Sequence, residues 1–331
     1  MTPFRKSPQP VLKPFPDLTW ASGAVFNPGA WYEDGRVHLL FRAIPEGYRR
    51  IPLEQPDPHG PELGFDQSYI SYIGYASSTD GLTFVPRETP YIKPDEDFDV
   101  YGAEDPRISR IDDTYLITYT ALCRPAFDPH NGVRIGLASS HDFVGLKKHG
   151  VVGPPVCDKD AVIFPGRIGG RIAMLHRITP DIQLVFFDDL AQLFQPPDGF
   201  WQSHMDNLDQ HVVMRSEQTW ESKKIGVGPT PIETEEGWLI IYHGVDADHI
   251  YRAGLALLDR DDPRRVIART THPVLQPELD FELYGDVDNV VFPEGAVVID
   301  GELHVYYGAA DRVIGHASAP LRSVMDHLLK R

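Results

Sequence analysis

The chain of 331 residues carries 31 Lys and Arg against 48 Asp and Glu, a net charge of −17, which excludes a broad field attractive to nucleic-acid phosphates or anionic membranes. Hydrophobic residues make up 42% and aromatic residues 11%, and 30 Pro and 28 Gly are spread along the whole length, a composition of many short strands joined by turns. Two cysteines, Cys123 and Cys157, are too few for a disulfide framework or a zinc site, so reduced thiols and no metal or cofactor are expected.

Residues 1–20 are interrupted by Pro3, Pro8, Pro10, Pro14 and Pro16, and no apolar run among them resembles a signal peptide. No segment approaches the length of a membrane span, and a soluble cytoplasmic protein is expected. From residue 37 onward an apolar, aromatic-rich strand recurs five times: Val37-His-Leu-Leu-Phe-Arg-Ala43, Tyr115-Leu-Ile-Thr-Tyr-Thr-Ala121, Arg171-Ile-Ala-Met-Leu-His-Arg177, Trp238-Leu-Ile-Ile-Tyr-His-Gly244 and Leu303-His-Val-Tyr-Tyr-Gly-Ala309. Each copy follows a polar turn, in order Asp34-Gly35, Asp112-Asp113, Gly169-Gly170, Glu236-Gly237 and Asp300-Gly301, which are hairpin signals. Each turn is preceded by an entering segment and each strand is followed by a third, such as Ile73-Gly-Tyr-Ala, Arg134-Ile-Gly-Leu-Ala and Val313-Ile-Gly-His-Ala.

A unit of three or four antiparallel strands cannot bury both faces alone, whereas several packed radially bury both and leave short edges. The pattern predicts an all-β, five-bladed β-propeller occupying 1–331 as a single domain, with blades near 20–85, 100–145, 158–200, 224–262 and 285–320. A pair of β-sandwiches is the alternative, but no composition break or linker separates two halves. Helix is expected to be scarce, with residues 321–330 as a short C-terminal one.

In a propeller the innermost strands converge on a central channel, so the entering segments can meet in one pocket. The polar residues there are Asn27, Glu104 with Asp105, Lys159 with Asp160, and Asp286, Asp288 and Glu294. A second set lies near the ends of the recurrent strands: Arg42, Thr120, Arg124, His176 with Arg177, and Tyr242 with His243. Glu104 and Asp105 are adjacent, so in an extended strand they point to opposite faces and share a pocket only through a bulge or turn. Pro106 biases Asp105 toward extended geometry and lacks a ladder donor, which marks a strand entrance or irregular inner edge. The plainer reading is a surface turn with an Asp-Arg pair. Arg gives a planar fork to oxyanions and Lys a point charge, so Arg124, Lys159 and Arg177 suit a phosphate beside a polyhydroxyl compound. The plainer reading of each is a structural ion pair. Trp220, Trp238 and Tyr101 are sugar-stacking candidates, or packing.

In order along the chain, Asn27-Pro-Gly-Ala30, Gly102-Ala-Glu-Asp-Pro-Arg107, Lys159-Asp-Ala-Val-Ile-Phe-Pro165, Met174-Leu-His-Arg177, Lys224-Ile-Gly-Val-Gly228, Tyr242-His-Gly-Val245 and Tyr306-Tyr-Gly-Ala-Ala-Asp311 together resemble glycoside hydrolase family 130. That family holds β-mannoside phosphorylases and some related β-mannosidases on five-bladed propellers. The resemblance spans roughly residues 20 to 320. One departure is Gly228-Pro-Thr-Pro231, where many relatives carry three prolines, a change expected to affect packing only.

The resemblance implies that Asp105 is the general acid, acting through a substrate hydroxyl, while inorganic phosphate attacks the anomeric carbon and releases α-mannose 1-phosphate with inversion. It implies a phosphate cradle among Arg124, Arg177 and His243, with Lys159 and Tyr242 as further members. Asn27, Arg42, Glu104, Asp160, His176 and Asp288 are the candidates for binding or orienting the sugar. The alternatives are an inverting β-mannosidase, a non-catalytic carbohydrate-binding propeller, and a glycosidase of the arabinanase or invertase type. Against the last, Asn27 stands where such enzymes commonly place an Asp. Linkage and acceptor are expected to lie in variable loops, such as the Pro-rich insertion from Tyr48 to Asp66, and the sequence leaves oligomeric state open.

Overall fold

The computed structural model describes residues 2–53, 63–126, 128 and 132–330. Its main strands form five antiparallel sheets arranged as the blades of a propeller. The first blade uses Ala24–Glu33, Arg36–Ile44, Tyr72–Ser78 and Val85–Pro86, and the second Gly102–Ile111, Thr114–Leu122, Val133–Ser140 and Lys147–Val151. The third uses Lys159–Ile168, Arg171–Arg177, Ile182–Phe187 and Val212–Met214. In the fourth the inner strand is split into Lys224–Val227 and Ile232–Thr234, followed by Gly237–Val245, Tyr251–Leu258 and Val266–Arg269. The fifth consists of Val291–Ile299, Glu302–Ala309 and Val313–Pro320, and is completed from the other end of the chain by Arg5–Lys6.

The local chemistry explains the hairpins. Asp34-Gly35, Gly169-Gly170 and Asp300-Gly301 have positive φ at both residues, as two-residue turns matched to the strand twist require. The recurrent strands are apolar on both faces because each blade is covered on both sides. In Gly237–Val245, Trp238, Ile240 and Tyr242 pack toward the third blade while Leu239 and Ile241 pack toward the fifth. Five apolar clusters result, one at each junction between neighbouring blades, including that between fifth and first.

The outer strands depart from the sequence expectation. Those at Val212–Met214 and Val266–Arg269 lie beyond residues 200 and 262, the former because three short helices, Leu190–Phe194, Phe200–Asp206 and Leu208–His211, intervene in the third blade. The C-terminal helix runs over Leu321–Leu329 and buries Val324, Met325 and Leu328. Among the described residues no helix is long and apolar enough to cross a membrane. Within the first-blade insertion, Arg50–Pro52 pairs with Leu63–Phe65, and Phe65 and Tyr69 pack on Phe26 and Ile44; residues 54–62 lie outside the described residues.

Candidate active site

Bulges in the inner strands build the site. In the first blade the register passes from Phe26 opposite Arg42 to Pro28 opposite Phe41, which leaves Asn27 as an extra residue. The same slip places Asp105 and Pro106 against Tyr119, Asp160 and Ala161 against His176, and Glu294 as the extra residue of the fifth blade. Asn27, Asp105 and Asp160 have φ of 47°, 52° and 56°, a left-handed conformation that short Asn and Asp side chains tolerate best after Gly. The residue type that permits the bulge is therefore also the one that supplies the polar group, and the bulge re-aims it to the axis. Glu104 and Asp105 come to share one cluster by this means.

Asp105 is buried, with Oδ1 accepting from Asn27 Nδ2 (2.9 Å) and Arg42 Nη1 (3.3 Å) and Oδ2 accepting from Lys159 Nζ (3.0 Å). Glu104 Oε1 accepts from Arg42 Nη2 (2.5 Å) and Ser71 Oγ (2.9 Å). Burial alone would raise the Asp105 carboxyl, but Lys159, Arg42, Arg107 and the Asn27 hydrogen bond outweigh it and hold it well below the usual carboxylate range. Glu104 moves the other way, because burial and the neighbouring Asp105 charge exceed the pull of Arg42 and Lys159. Burial also opposes the charge on Lys159, yet Asp105, Asp160 and Glu104 keep its ammonium above the ordinary lysine value.

Next round the axis, Arg177 Nε lies 3.0 Å from Asp160 Oδ2 and His243 Nε2 lies 3.7 Å from the same oxygen. His243 is fully buried against Phe292, neither ring nitrogen has a hydrogen-bond partner among the described residues, and burial with Arg177, Lys224 and Arg107 holds it neutral despite Asp160. Gly308 has no side chain because Asn27 Oδ1 occupies the place a Cβ would take. Arg42, Thr120, Arg177, His243 and Gly308 are thus the level positions on the five second strands, facing Phe26, Glu104, Lys159, Gly226 and Phe292.

That register corrects the sequence alignment of the third blade by one residue. His176 stands level with Phe41, Tyr119, Tyr242 and Tyr307, not with His243, and its Nδ1 pairs with Asp158 Oδ2 (2.8 Å) inside the blade. Three blades repeat one structural device at this level. Tyr119 donates to Asp99 (2.9 Å), Tyr242 to Glu221 (3.0 Å) and Tyr307 to Glu282 (2.7 Å), and Lys148, Arg269 and Lys6 respectively neutralise the carboxylates. Gly136, Gly254 and Gly315 in the third strands leave room for the rings. Tyr242 and His176, expected at the phosphate and sugar sites, are thus held inside their blades by Glu221 and Asp158.

Asp288 is exposed and accepts from the Gly285 amide (3.1 Å), away from the ion cluster. Arg124 is exposed in the loop after Thr114–Leu122 and forms no part of that cluster. Trp220 and Trp238 are buried and donate to Thr271 O and Arg260 O, which makes them packing residues, while Tyr101 stays on the surface. Three more residues belong to the axis: Glu294, which the sequence already places among its polar residues, and Arg107 and Asp311, to which the sequence assigns no role. Arg107 and Glu294 lie beneath Asp105, and Asp311, with φ of 50°, is pushed up to about 7 by burial and by Asp105 and Asp286 against Arg42 and Lys159. Asp311 ends a motif already visible in the sequence, which is the signal that could have found it.

A buried carboxylate flanked by fixed cations at the axis of a five-bladed propeller suits an enzyme of the glycoside-active propeller class. More narrowly, the chain belongs to glycoside hydrolase family 130: the family model, described as beta-1,4-mannooligosaccharide phosphorylase, matches residues 65–330. A 1,2-beta-oligomannan phosphorylase of Thermoanaerobacter sp. (strain X514) is 39% identical over 97% of this chain and 98% of its own. A beta-1,2-mannobiose phosphorylase of the same organism is 39% identical over 95% of each chain. The solved beta-1,2-mannobiose phosphorylase of Listeria innocua, in complex with beta-1,2-mannobiose, superposes with a TM-score of 0.78 at 28% identity, covering 99% of both chains.

Proposed function

We propose that the protein cleaves a β-mannoside by inverting phosphorolysis, with Asp105 as general acid and inorganic phosphate as nucleophile. The phosphate oxygen forms the new bond to the anomeric carbon as the glycosidic bond breaks. The Asp105 proton passes, through a sugar hydroxyl, to the departing acceptor oxygen, giving α-mannose 1-phosphate. The observation that carries this reading is the state of the neighbouring carboxylates. Glu104 is occupied by Arg42 and Ser71, and Asp160 by Arg177 and Arg107, so neither is free to activate water as an inverting hydrolase requires.

Lys159, Arg177 and neutral His243 are the cradle that the geometry supports best, with Asn27, Arg42 and Glu104 orienting the sugar. Lys159 has two tasks. In the free protein it holds Asp105 ionised; a phosphate dianion that draws on the same ammonium weakens that hold and lets Asp105 take up the proton it must donate. After transfer the carboxylate formed meets Lys159 and Arg42 in place. The names of the two 39%-identical relatives favour a β-1,2 linkage. The cytoplasm, which supplies phosphate and keeps free Cys123 and Cys157 reduced, is the compartment this chemistry suits.

Inverting hydrolysis is the second reading, because a carboxyl near pH 7 at Asp311 suits a general base. The deciding experiment incubates the protein with β-1,2-mannobiose with and without phosphate. Phosphorolysis gives α-mannose 1-phosphate only with phosphate, and Asp105→Asn lowers its rate by about a thousandfold or more with the fold intact. Equal release of free mannose in both incubations would establish hydrolysis instead.

A further inference from the structure

Arg107 is 1% exposed, and its guanidinium nitrogens are taken up by backbone oxygens and carboxylates of the protein itself rather than left for a ligand. It touches the inner strands of four blades. Nε donates to Gly228 O (3.1 Å), Nη2 to Val227 O (3.0 Å), and Nη1 to the backbone oxygen of Asp105 (3.0 Å). Nη2 also lies 3.4 Å from Asp160 Oδ1, and Nη1 lies 2.7 Å from Glu294 Oε1. Every one of these contacts is made at or beside a break in strand register: the bulges at Asp105, Asp160 and Glu294, and the split in the fourth inner strand.

We propose that Arg107 is a positioning residue for Asp105, its guanidinium pinning the bulge that aims the acid and Glu294 fixing the guanidinium from below. The proposal rests on the reading of Asp105 as the acid. A non-Gly residue at a φ of 52° is strained, and such a conformation persists only where its surroundings over-determine it. Pro106 has no amide hydrogen with which to tie the bulge. The Asp105 carbonyl is therefore the available handle, and Arg107 takes it. On the other side the Pro106 carbonyl lies against Gly29, in the space that a Cβ on that residue would fill. Lysine cannot replace the device, since a point-like ammonium does not reach carbonyls and carboxylates in several directions at once from one plane.

Glu294 supports this from the fifth blade. It is buried, burial raises its carboxyl well above the usual range against the pull of Arg107, and the 2.7 Å approach of its Oε1 to Arg107 Nη1 is its closest polar contact among the described residues. Asp105, Asp160, Lys159 and Arg107 are the charged groups that face it.

The test uses leaving groups of different need for a proton. Phosphorolysis of β-1,2-mannobiose requires the acid, whereas a 2,4-dinitrophenyl β-mannoside departs without one. Arg107→Lys is expected to lower kcat on mannobiose by about a hundredfold, the scale of a misplaced catalytic group, and on the aryl mannoside by less than about fivefold, with KM for phosphate within about threefold. Glu294→Leu, which leaves Arg107 in place, is expected to show the same selectivity at about tenfold and decides the matter if Arg107→Lys does not fold. Equal losses on the two substrates, or none on either, overturn the proposal. Asp105→Asn run alongside separates the two readings: if it shows no leaving-group selectivity, the assignment of the acid fails and this inference falls with it. If it does while the Arg107 and Glu294 variants do not, only this inference fails.

Discussion

Asp311 shows how position can change the chemistry of an ordinary residue. In the folded chain it keeps its proton up to about 7, chiefly through burial, whereas in the unfolded chain it titrates near the usual carboxylate value. Between those two values the folded state binds a proton that the unfolded state does not, so each rise in pH within the window costs the fold stability. Asp311→Asn removes the titration. Its stability relative to the wild type should rise from about pH 4 to about pH 7 and level off above, followed by paired thermal melts across that range. A constant offset throughout would place the titration elsewhere. The irregular inner edge at Asp105 could be expected from the sequence because Glu-Asp-Pro-Arg combines a carboxylate pair with a ladder-breaking proline. The roles of Arg107, Glu294 and Asp311 could not, because each depends on which strands a bulge brings beneath or beside it. A residue that looked like half of a surface Asp-Arg pair proves to be among the most deeply buried side chains of the protein.

At the scale of a strand, the sequence reveals the apolar repeat but not its register to a single residue. The sequence repeat sets the third blade one position early, since Arg171-Ile-Ala-Met-Leu-His-Arg177 fits it equally well either way and only the pairing of Lys159 with Arg177 distinguishes them. That one step moves His176 from the axis into the blade, where Asp158 takes its Nδ1. The recurrent tyrosine obeys the same rule. Tyr119, Tyr242 and Tyr307 each donate to a buried carboxylate that a Lys or Arg neutralises, and this is an architectural role repeated from blade to blade. Tyr242→Phe leaves Glu221 short of one donor and should cost about 1–3 kcal/mol of stability, measured by denaturant unfolding. Its KM for phosphate should be unchanged. A rise of about tenfold would return Tyr242 to the cradle.

For the whole molecule the problem is closure, since a ring of blades opens wherever two neighbours part. Five apolar junctions hold the ring, and the fifth blade is completed by Arg5–Lys6, which pair with Ser318 and Ala317. Two residues carry no strand pattern, so the sequence, broken by prolines in this region, gave no sign that the N-terminus finishes the last sheet. The five-fold repeat was legible because each blade needs an apolar second strand; the clasp was not, because its strength lies in pairing and charge. Lys6 Nζ reaches Glu282 Oε2 at 2.8 Å, and Glu282 is fully buried, also accepting from Tyr307 and the amides of Glu278 and Leu279. Removing one partner of such a pair costs about 3–5 kcal/mol, because the other is left buried without its counter-charge. Divided by an unfolding entropy of about 2.1 cal/mol/K per residue, this predicts that Lys6→Met lowers the melting temperature by about 4–7 °C. Because Lys6 lies outside the axial cluster, kcat and KM at 25 °C should stay those of the wild type. Hydrogen exchange should quicken first in Val313–Pro320, the strand against which the clasp lies. An unchanged melting temperature would show that the apolar junctions alone close the ring.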